Sequence, residues 1–171
     1  MRMIRCVLAL FVVASMSGCA VGAQRQFAAQ VKNKPAPDFE LTALDGGKVR
    51  LSDQRGKPVI VAFFAFNCPP CRAEAPHLSK LAEEYKKDGL VVLAVNAWDE
   101  DKDILKQYVE QNKLNQRVLL NGGEVCDRYG IPDRSVPIVF WVDRSGLVVD
   151  VDSGNVETLE GNTKKLVNSK S

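Results

Sequence analysis

The stretch from Pro58 to Pro76, PVIVAFFAFNCPPCRAEAP, decides how the rest of the chain is read. Val59 to Phe66 carries no charge and is rich in β-branched and aromatic residues. That is the composition of a strand buried on both faces, at the centre of a sheet covered by helices. Asn67 ends the run, Cys68 falls where a helix N-cap belongs, and Pro69 takes the first helical position, where a missing N–H costs nothing. A thiol at such a helix start meets unpaired N–H groups and the positive end of the helix dipole, both of which favour its thiolate. Pro69 and Pro70 have no N–H to offer, so the first backbone donor able to reach the Cys68 sulfur is that of Cys71. Fewer donors mean a moderate lowering of the thiol pKa. Cys71, one turn into the helix, is expected close beneath Cys68 and more buried. This geometry suits a disulfide that opens and closes, with Cys68 attacking and Cys71 resolving.

The residues NCPPCRAEAP behind an apolar strand resemble the active site of thioredoxin-fold proteins of the TlpA/ResA type, which are extracytoplasmic, membrane-tethered thiol-disulfide oxidoreductases. Pro76 matches the proline that kinks the active-site helix of that family. Glu74 matches a buried acid used there in proton handling; read from the residues alone, it is equally a solvated acid on the helix face. The chain departs from the family at Asn67, where Trp is usual, which changes the rim of the disulfide and with it partner preference. The resemblance implies an α/β thioredoxin-like fold: a mixed central sheet flanked by helices, with an N-terminal β-hairpin and an extra strand–helix insertion.

Outward from this centre, the pattern keeps strand and helix alternating. Pro37–Leu41 and Lys48–Leu51 flank Asp45-Gly46-Gly47, a hairpin signal, and match the family opening APDFxLxxxDGxxxxLSD. The active-site helix is expected over 69–87, a buried strand over 90–95, an amphipathic helix over 100–113 and a short strand over 117–120. A short helix over 124–129 and a hairpin over 138–151 follow, then a final helix over 156–168. Alternation of strand and helix predicts parallel neighbours joined by right-handed crossovers. Val136-Pro137, at the head of the strand Ile138–Val142, matches the cis-proline of the thioredoxin fold. In that family the loop packs on the disulfide, and the residue before the proline pairs with the substrate backbone. Val136 and Pro137, with Pro69 and Pro70, are therefore the expected substrate-binding residues.

At the N-terminus, Arg2 and Arg5 precede an 11-residue apolar core, Cys6–Met16, the pattern of a secretory signal over residues 1–18. That core is too short for a bilayer, which takes about 20 residues. Met16-Ser17-Gly18-Cys19 resembles a bacterial lipobox, which would make Cys19 the lipidated N-terminus of a protein facing the periplasm; cleavage after Val21-Gly22-Ala23 is the competing reading and would release a soluble protein. Residues 19–36 have no period and read as a tether, leaving 37–170 as the domain. Without the leader, 21 basic side chains balance 21 acidic ones, which gives no electrostatic case for nucleic acid.

Of the remaining reactive residues, Cys126 has no evident partner and reads as a small buried side chain. His77 is the only histidine, and a zinc site wants four ligands, so no metal is expected. Trp98 reads as loop packing, with a docking aromatic as the alternative. No cofactor is expected beyond the Cys68–Cys71 pair. The resemblance implies protein disulfides as substrates, apocytochrome c among them, and a membrane electron donor of the DsbD/CcdA type. Two other functions stay open. A thiol peroxidase of the AhpC/TSA group wants Pro and Thr in a PxxxTxxC pattern, where this chain has Val61 and Ala65. A non-catalytic binding module would have no use for both cysteines.

Overall fold

The apolar run forms the strand that its composition requires. The computed structural model describes residues 27–169; the leader, Cys19 and the first part of the expected tether lie outside the described residues. Two short strands, β1 (Glu40–Thr42) and β2 (Lys48–Arg50), pair antiparallel as the expected hairpin. Then come β3 (Val59–Phe64), α1 (Pro69–Glu84), β4 (Val91–Asn96), α2 (Lys102–Gln111), β5 (Arg117–Leu119) and α3 (Gly123–Arg128). The chain closes with β6 (Ile138–Val142), β7 (Val148–Asp152) and α4 (Val156–Asn168).

The main sheet has the order β5-β4-β3-β6-β7. β3 pairs parallel with β4, and β4 with β5; β3 with β6 and β6 with β7 are antiparallel. The sheet is thus mixed, as the family resemblance implies. Strand–helix alternation describes only its parallel half, because β6 and β7 are joined by a turn too tight for a crossover. The stretch between Cys71 and Pro137 holds the additional strand–helix unit, with β5 at the sheet edge.

β3 lies at the centre and is buried from both sides. Val61 and Phe63 face a core that includes Val95, Leu119, Tyr129 and Phe140, while Ile60 and Ala62 face Leu78, Leu81, Trp141, Leu159 and Leu166. The second core is supplied by α1 and α4, the first by α3 and the hairpin. On the first face, Phe63, Tyr129 and Phe140 meet edge-to-face, with centroids 4.8 to 5.8 Å apart. Such pairs add about 0.5–1.5 kcal/mol each beyond their buried area. On the second, the buried Trp141 indole N–H donates to Thr163 Oγ1 at 3.1 Å and ties α4 to the sheet.

Within 27–36 the expected tether is part of the fold. Residues 27–31 are helical, and Phe27 packs edge-on against Phe140 at 6.1 Å. The chain then runs along the edge of β7: Asn33 N–H donates to Val148 O, Val148 N–H to Lys34 O, and Ala36 N–H to Gly146 O. The start of the edge strand is thereby paired, which shortens its unpaired ladder of backbone groups.

Candidate functional site

The sheet order brings four loops to one end. Parallel pairing of Phe64 with Asn96 sets the C-terminal ends of β3 and β4 side by side. Antiparallel pairing of Phe63 with Ile138 brings the start of β6 to the same end, and pairing of Val139 with Asp152 brings the end of β7 there too. Cys68, Glu100, Val136-Pro137 and Gly154 therefore converge, although they are spread over 87 residues of sequence.

Cys68 and Cys71 are joined in a disulfide. Cys68 is the N-cap of α1 and its sulfur accepts from Cys71 N–H at 3.3 Å, the donor left by the two prolines. Pro69 and Pro70 are exposed beside it. Cys68 is nearly as buried as Cys71, with 5% against 3% of its surface exposed, so the expected difference between the two is slight. The cause is the loop before β6: the Val136–Pro137 bond is cis, and Val136 O lies 3.6 Å from Cys68 Sγ. Ala65, Phe64 and Val136 complete the apolar surround of the two sulfurs. Pro76, inside α1, cannot donate to Arg72 O and opens one bond of the helix ladder.

Glu74 is one turn beyond Cys71 and points inward, 3% exposed, so it is a buried acid and not a solvated one. It lines a narrow cavity shared with Cys71, Phe64, Tyr108 and Gln116. Its Oε1 has no hydrogen-bond partner. Burial, helped by the like charge of Asp152, pushes its pKa from 4.5 to about 7. A carboxyl in this state exchanges a proton near neutral pH without a change of structure.

The fourth loop closes over this acid. A Cβ on Gly154 would stand 2.7 Å from Pro137 Cγ and 2.8 Å from Glu74 Oε2, and the residue has φ +81°. Only glycine both adopts that conformation and lets the backbone approach so closely. The sequence offered one signal for it, a glycine between a strand and a helix N-cap.

Glu100 is the residue that sequence reading missed. Its carboxylate accepts from Phe66 N–H at 2.5 Å, Asn67 N–H at 3.0 Å and Asn96 Nδ2 at 2.8 Å, while Asn96 Oδ1 accepts from Glu100 N–H at 2.8 Å. No spacing rule links it to Cys68; only the β3–β4 pairing does. Trp98, read as loop packing, is 46% exposed, and its indole N–H donates to Arg134 O at 3.1 Å, in the loop leading to Pro137. Cys126 is fully buried, and burial pushes its thiol up to about 11, which keeps it a protonated packing residue.

Comparison with known proteins agrees with this geometry. Residues 33–151 match the model of the AhpC/TSA family. The thiol-disulfide oxidoreductase ResA of Bacillus anthracis is 35% identical over 136 residues, covering 78% of this chain and 77% of that protein. ResA of Halalkalibacterium halodurans is 34% identical over 122 residues, covering 71% and 68%. Among solved structures, one described as the thiol:disulfide interchange protein DsbE from Chlorobium tepidum superposes with a TM-score of 0.72 at 31% identity, over 80% of this chain and 98% of that one. With its disulfide at the tip of β3 and a cis-proline against it, the chain belongs to the AhpC/TSA family and, within it, to the ResA-like thiol-disulfide oxidoreductases.

Proposed function

We propose that this oxidoreductase works as a disulfide reductase, tethered on the outer side of a bacterial membrane. The observation that carries the reading is the pairing of a closed Cys68–Cys71 disulfide with a buried carboxyl, Glu74, poised near neutral pH on the same helix face. In the reduced protein the Cys68 thiolate attacks one sulfur of a substrate disulfide. A Cys68–substrate disulfide forms and the other substrate sulfur leaves as a thiolate. Glu74 then takes the Cys71 proton, and the Cys71 thiolate attacks Cys68 Sγ. The Cys68–Cys71 bond forms, the second substrate sulfur leaves, and two electrons have passed to the substrate. Val136 supports the substrate backbone, while Pro137, Pro69 and Pro70 form the apolar border of the exchange site.

The leader and lipobox reading puts Cys19 in the membrane, and residues 27–36 then carry the chain directly onto the sheet edge. Among the described residues no helix is long and apolar enough to cross a membrane. An oxidising envelope requires that a reductant be recharged, and a membrane dithiol donor of the DsbD/CcdA type supplies that role. Protein disulfides, apocytochrome c among them, are the proposed targets, and the cysteine pair is the only redox group invoked. The peroxidase reading is weaker: Ala65, fully buried behind Cys68, offers no hydroxyl to hold a peroxide.

Two measurements test the proposal. Equilibration in redox buffers is expected to give a potential near the thioredoxin end of the scale, about −270 mV, and a value near about −120 mV would make the protein an oxidant instead. The Cys71→Ser variant is expected to accumulate mixed disulfides through Cys68 with envelope proteins; a folded variant that traps none would refute the exchange mechanism.

A further inference from the structure

Phe66 and Asn67 form a turn between the end of β3 and Cys68, and bring two consecutive N–H groups beside the disulfide loop. Both are taken by Glu100. The carboxylate is held in its turn by Asn96, the last residue of β4, whose side-chain amide donates to it and whose side-chain carbonyl receives the Glu100 N–H. Asn96 itself is fully buried, with its backbone carbonyl bonded by Gly122 N–H at 2.8 Å. A Cβ on Gly122 would stand 2.2 Å from Val95 Cγ1, so glycine there is what lets this backstop close. The chain of contacts thus runs from the sheet core, through one carboxylate, to the residue next to Cys68.

We infer that Glu100 is a positioning residue for disulfide exchange: its carboxylate clamps the Phe66–Asn67 turn and holds Cys68 where the disulfide closes. This rests on the thiol–disulfide exchange reading of the site. The oxidised protein needs the Cys68 sulfur at one point, over Cys71 and against Val136 O, whereas the dithiol tolerates a range of positions. Fixing the preceding turn therefore favours the disulfide over the dithiol. Charge-assisted bonds to backbone N–H groups are among the stronger hydrogen bonds, and two of the three here go to the turn.

The test is equilibration of the full protein with glutathione and oxidised glutathione, comparing wild type with Glu100→Gln and Glu100→Asp. In Gln the neutral amide can keep its oxygen on Phe66 N–H but sets an NH2 against Asn67 N–H. In Asp the charge stays but the side chain is too short to span to the turn. Both variants are expected to be reduced about tenfold more readily than wild type, which is about 30 mV for a two-electron couple. A merely structural role would lower the unfolding midpoints of the oxidised and reduced forms alike and leave this equilibrium constant unchanged, and that result overturns the inference. So does a shift in Glu100→Gln with Glu100→Asp behaving as wild type, because charge without reach would then suffice. A shift towards harder reduction overturns it as well. Failure of the wild-type pair to reach a reversible equilibrium at all would overturn the exchange reading and the inference with it.

Discussion

Replacing Glu74 with Gln should remove a pH dependence of stability that wild type carries through the neutral range. The folded carboxyl has its pKa raised from 4.5 to about 7 by burial and by Asp152. Below pH 4.5 it is protonated in both the folded and the unfolded chain, and its burial carries no charge penalty. As pH rises past 4.5 the unfolded chain gives up the proton while the folded one holds it, so stability falls. The fall ends once pH passes 7 and the folded carboxyl also ionises. At about 1.36 kcal/mol per pH unit, the interval corresponds to about 3 kcal/mol. Gln cannot titrate, so the stability difference between variant and wild type should move by that amount, in favour of Gln, between pH 4 and pH 8.5. The amide brings a second donor to a place where Oε1 already lacks a partner, at a cost of about 1–3 kcal/mol that does not change with pH. The slope, not the offset, is therefore diagnostic. Urea unfolding of the oxidised protein is the assay. The disulfide removes Cys68 and Cys71 from the titration, Cys126 at about 11 lies above the window, and His77 is common to both chains. Parallel stability curves for the two proteins would refute the reasoning.

Other perturbations read different parts of the same structure. Gly154→Ala should cost about 1–3 kcal/mol through the positive φ and the contacts with Pro137 and Glu74; it should also shrink the pH step just described, because a displaced loop hydrates the acid. Thr163→Val leaves the Trp141 indole N–H unpaired in the core and should lower stability by about 1–3 kcal/mol in denaturant unfolding, with the redox potential unchanged. Phe27→Ala removes an edge-on ring from Phe140 and should cost about 1–2 kcal/mol; no loss in thermal or urea unfolding would mean that residues 27–36 do not hold the sheet edge.

How much of this was legible in the chain depends on the range over which each feature is encoded. β3, β4 and β6 are apolar runs, and α1 announces itself by Cys68 and Pro69, so local pattern suffices for them. The mixed pairing of the sheet was visible only through the short turn between β6 and β7 and through family resemblance. Residues 27–36 misled the reading because they lack a side-chain period. Their order comes from backbone bonds to Val148 and Gly146, which sequence pattern does not record, and from one aromatic contact. Trp98, read as loop packing, does bond to a loop: its indole N–H donates to Arg134 O, while 46% of its surface stays exposed, a balance that sequence pattern does not record.

The two acids of the site show the same limit in chemical form. Glu74 and Glu100 are one residue type at one end of one sheet. Glu74 has an orphaned oxygen and a pKa pushed to about 7, while the carboxylate of Glu100 accepts three hydrogen bonds. Burial without a donor on Oε1 holds the proton of Glu74 towards neutrality, whereas three donors fix where the carboxylate of Glu100 sits. Glu74 could be flagged only through the family resemblance, since read from the residues alone it is equally a solvated acid on the helix face. Glu100 could not, since its partners, Phe66 and Asn67, are 34 and 33 residues away and meet it only after β3 and β4 have paired. Giving Glu74 a donor would be expected to lower its pKa, since its hold on the proton resides in its surroundings and not in the side chain itself.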